Sequence, residues 1–112
     1  MTGAVVLNGT AASAGSARGM ASLIQGPDDF ARFRTGDVLV CRTTDPAWTP
    51  LFGMASAVVT ETGGMLSHAA IVAREYGIPA VLGVHAALEL VPDGSVVTVD
   101  GSTGTVTLAG MQ

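Results

Sequence analysis

The 112-residue chain contains no lysine; its five basic residues are all arginine and stand against nine acidic ones, for a formal charge of −4. That absence removes a Walker-type phosphate lysine and a Schiff-base lysine, so whatever activates a nucleotide is expected outside these residues. No basic run is present to neutralise a nucleic-acid backbone or an anionic lipid surface, and neither is expected as a partner. Cys41 is the only cysteine and there are two histidines, which excludes an intrachain disulfide and leaves no ligand set for a closed structural zinc site; no metal is expected here. No segment reaches the roughly 18 apolar residues that a membrane span needs, and Met1 to Gly9 lacks the cationic and apolar regions of a signal peptide. The chain therefore reads as cytoplasmic.

What is present is apolar and regularly punctuated. Hydrophobic residues make up 48% of the chain and the mean hydropathy is +0.50, which argues for one folded domain spanning 1–112. Ala4 to Leu7 and Met20 to Ile24 read as two short strands, with Asn8-Gly9 and the small residues Thr10 to Ala17 as the turn or loop between them. Asp28 is expected to cap a short helix carrying Phe30 and Phe33, ending by Thr35-Gly36. Asp37 to Cys41 is a buried strand, and Asp45 caps a helix with Pro46 at its first position and Trp48, Leu51, Phe52 and Ala55 at helical spacing.

Ala57 to Thr60 resumes as a strand. The next helix has complete punctuation: Ser67 as N-cap, Gly77 as its left-handed terminal residue, Pro79 beyond, and His68 near the first helical position. Ala80 to Val84 follows as a strand, then a helical turn over Ala86 to Leu90 and a turn at Pro92-Asp93-Gly94. Val96 to Val99 and Thr105 to Leu108 close the chain as a hairpin. Short strands with interspersed short helices predict a mixed α/β domain with two small sheets or an open barrel.

The stretch Thr60 to Glu75 carries the chemistry. Backbone amides at a helix start have no intrahelical acceptors, and the macrodipole adds partial positive charge, so an anion held there is stabilised by roughly 0.3 to 2 kcal/mol. Gly63 and Gly64 can present N–H groups closely, Thr62 and Ser67 offer hydroxyls, and Arg42 and Thr44 follow the preceding buried strand. An imidazole with a pKa near 6.5 is mostly neutral and nucleophilic at cytoplasmic pH, and the phosphoramidate it forms passes its phosphate onward readily. His68 is the candidate carrier; Thr62, Gly63, Gly64, Ser67, Arg42 and Thr44 are the candidate phosphate-binding residues.

Gly63-Gly64-Met65-Leu66-Ser67-His68-Ala69-Ala70-Ile71-Val72-Ala73-Arg74 and Gly77-Ile78-Pro79-Ala80-Val81 resemble the phosphohistidine, or mobile, domain of phosphoenolpyruvate-utilising enzymes. That family includes phosphoenolpyruvate synthase, pyruvate phosphate dikinase, rifampicin phosphotransferase and enzyme I of the sugar phosphotransferase system. The likeness continues through Ala12 to Gly15, Gly36 to Val40, Thr44-Asp45-Pro46 and Val99-Asp100-Gly101. It implies a swivelling β/β/α domain in which His68 is phosphorylated on Nε2. It further implies an ATP-grasp partner that phosphorylates the histidine, and an acceptor site or phosphoenolpyruvate/pyruvate domain that receives the group. No cofactor is expected on this domain itself; ATP and Mg2+ belong to the partner. Leu66 stands where pyruvate phosphate dikinases and many synthases carry a regulatory threonine, so control by phosphorylation at that position is not expected, and Thr62 stands where an arginine often precedes the double glycine. Both departures resemble the phosphoenolpyruvate synthase-like and rifampicin phosphotransferase-like branch. The chain would then be a free subunit or a piece of a larger enzyme.

Other residues read more plainly. His85 is expected on a surface loop, Glu61 is a secondary site candidate or a backbone-capping carboxylate, and Arg74 and Glu75 suggest an exposed ion pair or an interdomain contact. Trp48 and Phe52 read as packing. Gly15 to Gly19 superficially resembles a nucleophile elbow, but its serine is misplaced. The alternative functions are a regulatory or interaction module that keeps the fold without phosphotransfer, or a free-standing ligand-binding domain.

Overall fold

The computed structural model describes residues 5–108. Its elements run β1 (Val5–Asn8), β2 (Thr10–Ser13), β3 (Ser16–Leu23), β4 (Val38–Cys41), α1 (Thr49–Phe52), β5 (Ala57–Thr60), α2 (His68–Tyr76), β6 (Ala80–Leu82), α3 (Ala87–Leu90), β7 (Val96–Asp100) and β8 (Thr105–Leu108). Two 3-10 turns, Pro27–Arg32 and Pro46–Trp48, complete the connections.

The strands form one eight-membered order, β1-β8-β7-β3-β4-β5-β6-β2. Strand β3 is shared between two halves. Its first part, Ser16 to Met20, pairs antiparallel with β7, and its last part, Ala21 to Leu23, pairs parallel with β4. The order therefore folds over at β3 and brings the two halves face to face. β1 and β2 stand at opposite ends of the order yet are joined by Gly9 alone, whose N–H donates to the carbonyl of Gly104 at 2.8 Å. The expected small sheets and open barrel are one bent object.

Alternation along β4 to β6 produces three layers. Val38, Val40, Ala57, Val59 and Val81 point into a core shared with Val97, Val99, Val106 and Leu108 of the other half. Leu39, Cys41, Val58, Ala80 and Leu82 point the opposite way, onto Leu51, Phe52, Ala69, Ala70, Val72 and Ala73 of the helices. Strands buried on both faces must be apolar at every position, which is why β4 reads as a continuous run. Small alanines on one face of α2 let the helix lie close on the sheet, and with it the histidine at its start.

Three expectations are corrected. Thr10 to Ala17 is β2 and the start of β3 rather than a loop. β2 pairs antiparallel with β6, Thr10 opposite Leu82 and Ser13 opposite Ala80, with a register shift between Ala11 and Ser13. The β7–β8 turn lies close on its backbone: a Cβ at Gly101 would lie 1.8 Å from the Ser13 carbonyl oxygen. The segment at Asp28 is a 3-10 turn capped at Gly26 without a side-chain bond, since Asp29 instead accepts from the Gln25 amide at 2.9 Å. β6 ends at Leu82 rather than Val84, where Gly83 turns to φ +69. No helix among the described residues is long and apolar enough to cross a membrane.

Candidate functional site

The site begins where β4 and β5 end side by side. The Glu61 amide donates to the Cys41 carbonyl at 3.0 Å, and Thr62 gives both its amide (3.0 Å) and its hydroxyl (3.1 Å) to the Arg42 carbonyl. Gly63 then turns at φ +107, and a Cβ there would meet Ser67 Oγ at 3.0 Å. Only glycine takes that conformation without strain. Ser67 closes the turn: its amide and hydroxyl donate to the Gly64 carbonyl at 3.0 and 2.8 Å, and its oxygen accepts from the Ala70 amide at 3.4 Å. This is the N-cap of α2, and it fixes where the helix starts.

His68 is the first residue of α2 and half-buried. Its Nδ1 lies 2.8 Å from the hydroxyl oxygen of Thr44, a buried residue just beyond β4. Its ring stands edge-on to Phe52, centroids 5.9 Å apart at 89°. The bond on one nitrogen and the aromatic ring beside it both hold the imidazole in this orientation. Nε2 carries no hydrogen bond among the described residues.

The amides around it are also free. Gly63, Gly64, Met65, Leu66, His68 and Ala69 have no backbone or side-chain acceptor among the described residues. Such unpaired N–H groups, with the positive end of the helix dipole, make the loop a donor surface for an anion. Met65 and Leu66 stand out beside it, Leu66 at 87% exposure.

The remaining candidates divide. Thr62 and Ser67 spend their hydroxyl protons on carbonyls inside the loop. Thr44 is brought to the histidine ring. Arg42 is exposed at the rim, and its guanidinium makes no ion pair among the described residues. Glu61 Oε2 accepts from the Leu88 amide at 2.9 Å, in the first turn of α3, which is the backbone-capping role. Beneath it, burial pushes the Cys41 thiol up to about 12, with the Glu61 carboxylate adding to the shift. His85 is exposed, and Trp48 packs edge-on to Phe30 at 5.3 Å.

Arg74 forms no ion pair among the described residues, which corrects the ion-pair half of the expectation. It donates to the carbonyls of Ala12 (2.8 Å) and Met65 (2.7 Å). No periodicity signals that role, because both acceptors are backbone atoms that lie elsewhere in the fold.

A held imidazole with one free nitrogen, beside unpaired amides at a helix mouth, can attack an electrophilic phosphorus and then hold the transferred group. The family model described as "PEP-utilising enzyme, mobile domain" matches residues 33–104. The chain is 56% identical over 100 residues to the uncharacterised phosphotransferase YvkC of Bacillus subtilis, covering 89% of this chain and 12% of that protein. It is 50% identical over 105 residues to the phosphoenolpyruvate synthase of Aeropyrum pernix, covering 93% and 13%. Against the rifampicin phosphotransferase of Bacillus subtilis it is 46% identical over 102 residues, covering 91% and 11%. A solution structure of Enzyme I superposes with a TM-score of 0.59 at 36% identity, over 66% of this chain and 31% of that one. The chain thus spans only a small part of the curated relatives it matches.

Proposed function

The chain belongs to the mobile-domain family of phosphoenolpyruvate-utilising enzymes, and from that premise we propose that His68 carries a phosphoryl group between two partner sites. The observation that carries this reading is the division of labour on one ring: Nδ1 engaged by Thr44 at 2.8 Å, Nε2 unengaged at the start of α2. With hydrogen on Nδ1 donating to the Thr44 oxygen, the lone pair sits on Nε2. That lone pair forms the bond to phosphorus, the bond from phosphorus to its leaving oxygen breaks, and the leaving group keeps the electron pair. Transfer to an acceptor reverses the step and restores the imidazole.

The loop supports the charge that arrives. Gly63 and Gly64 supply amides unobstructed by side chains, the first turn of α2 adds its donors, and Arg42 at the rim offers a charged fork. Thr44 holds the ring, while Thr62 and Ser67 keep the loop in shape. The donor partner is an ATP-grasp domain or subunit holding ATP and Mg2+. The second partner is an acceptor-site or phosphoenolpyruvate/pyruvate domain, and the whole operates in the cytoplasm around a single mobile domain spanning 1–112. The likeness to phosphoenolpyruvate synthase and rifampicin phosphotransferase supports a member of that branch.

Incubation with the cognate nucleotide-binding partner and labelled ATP tests the reading. The expected product is an acid-labile, base-stable label on the chain. Label of the same kind persisting in His68→Ala would refute it.

A further inference from the structure

The loop before His68 is braced from the far end of α2 by the side chain of Arg74. Arg74 lies near the end of α2, and its guanidinium donates Nε–H to the Ala12 carbonyl of β2 at 2.8 Å and Nη2–H to the Met65 carbonyl at 2.7 Å. The same Nη2 stands 3.6 Å from Met65 Sδ. No carboxylate pairs with it among the described residues. A guanidinium is a rigid planar fork, so a residue bonded through it to two carbonyls fixes their relative position more closely than a flexible ammonium would.

The carbonyl it holds determines an amide. In a trans peptide the C=O of one residue and the N–H of the next point to opposite sides of the chain. Holding the Met65 oxygen on Arg74 therefore turns the Leu66 N–H the other way. The preceding peptide is treated alike: the Gly64 oxygen is held by the Ser67 amide and hydroxyl at 3.0 and 2.8 Å, which turns out the Met65 N–H. Neither amide has an acceptor among the described residues. Ser67 fixes one peptide plane from within the loop, and Arg74 fixes the next against the sheet.

We propose that Arg74 is a positioning residue for phosphoryl transfer: by clamping the Met65 carbonyl to the β2 edge, it keeps the Met65–Leu66 peptide turned with its N–H outward, as a donor to the phosphoryl group on His68. This rests on His68 being the carrier. Arg74 itself touches neither the ring nor the phosphate; it acts through the loop.

The test uses the chain with potassium phosphoramidate, a small donor whose phosphorus–nitrogen bond breaks with loss of ammonia as the bond to the imidazole forms. Phosphorylation is followed by phosphorus and 1H–15N NMR in the wild type, Arg74→Gln, Arg74→Lys and His68→Asn. Arg74→Gln is expected to react about tenfold more slowly. Its Met65 and Leu66 amide signals are expected to lose the shift that phosphorylation produces in the wild type, while signals of the sheet and of the rest of α2 keep their positions. Arg74→Lys, which retains the charge but reaches one carbonyl at a time, should fall between. A merely structural arginine would instead move signals throughout the domain and lower its melting temperature. Wild-type rate and wild-type shifts in Arg74→Gln, with the phosphate still on His68, overturn the proposal and leave the carrier reading standing. Undiminished phosphorylation of His68→Asn overturns the carrier reading and this proposal together. If Arg74→Gln does not fold, Arg74→Lys decides by the same two readouts.

Discussion

Two glycine-bearing turns of this molecule follow opposite hydrogen-bonding schemes. In the turn between β7 and β8 every amide is used: Gly101 donates to the Gly15 carbonyl at 2.7 Å, Ser102 and Thr103 to Asp100 Oδ1 at 2.9 and 3.1 Å, and Gly104 to the Asp100 carbonyl at 2.9 Å. In the turn between β5 and α2 the carbonyls of Thr62, Gly64 and Met65 are held, by Thr60, Ser67 and Arg74 respectively. There the amides of Gly63, Gly64, Met65 and Leu66 have no acceptor among the described residues. A turn that only reverses the chain satisfies its donors internally. One that anchors its acceptors and leaves its donors without a partner in the chain keeps those donors open to water or to an anion.

The same substitution should separate the two. Gly101→Ala places a Cβ 1.8 Å from the Ser13 oxygen and 2.9 Å from the Ala80 nitrogen, both backbone atoms that cannot step aside. Urea unfolding should show a loss of about 3 kcal/mol, with the phosphorylation rate of the molecules that remain folded unchanged. Gly63→Ala meets a side-chain oxygen at 3.0 Å and a φ of +107, which should cost about 1 to 3 kcal/mol. Its larger effect should be on His68, whose phosphorylation is expected to slow by more than about tenfold as the free amides turn away.

Asp100→Ala strips the quiet turn of the acceptor of two amides, Ser102 and Thr103. A stability loss of about 1 to 3 kcal/mol is expected, again without effect on the histidine; a slowed phosphorylation would blur the distinction between the turns. The last effect concerns Cys41, beneath the β5–α2 turn, and shows itself only at alkaline pH. Folding holds its proton with a pKa raised from the ordinary 9.0 to about 12, by burial first and Glu61 second. The unfolded chain releases that proton at the lower value and binds fewer protons in between. Stability should therefore be complete below about pH 9 and fall as pH rises toward 12, and Cys41→Ala should flatten that part of the curve.

Much of the β5–α2 turn was legible because its signals are local. Ser67, Gly77 and Pro79 mark both ends of α2, and the apolar runs of β4 and β5 mark the wall on which the turn sits. β2 was not legible: Thr10 to Ser13 has the small, polar composition of a loop, and it becomes a strand only by pairing with β6, some seventy positions away. The partners of the hydroxyls within the chain could not be read either. Thr44 meets His68 Nδ1, and Thr62 and Ser67 close the loop on itself, because each finds a backbone or ring partner that only the folded chain brings near. Arg74 was missed for the same reason: a sequence displays possible charge partners, whereas the guanidinium here binds carbonyl oxygens that every residue possesses.

The most direct measurement is a 15N and 31P NMR experiment on the uniformly labelled chain, phosphorylated by its cognate nucleotide-binding partner and ATP. A phosphorus coupling to Nε2 of His68 is expected, with amide shifts concentrated between Gly63 and Ala69 and Gly101 to Gly104 unmoved. Phosphate on Nδ1 or on another residue, or equal shifts in the two turns, would contradict that expectation.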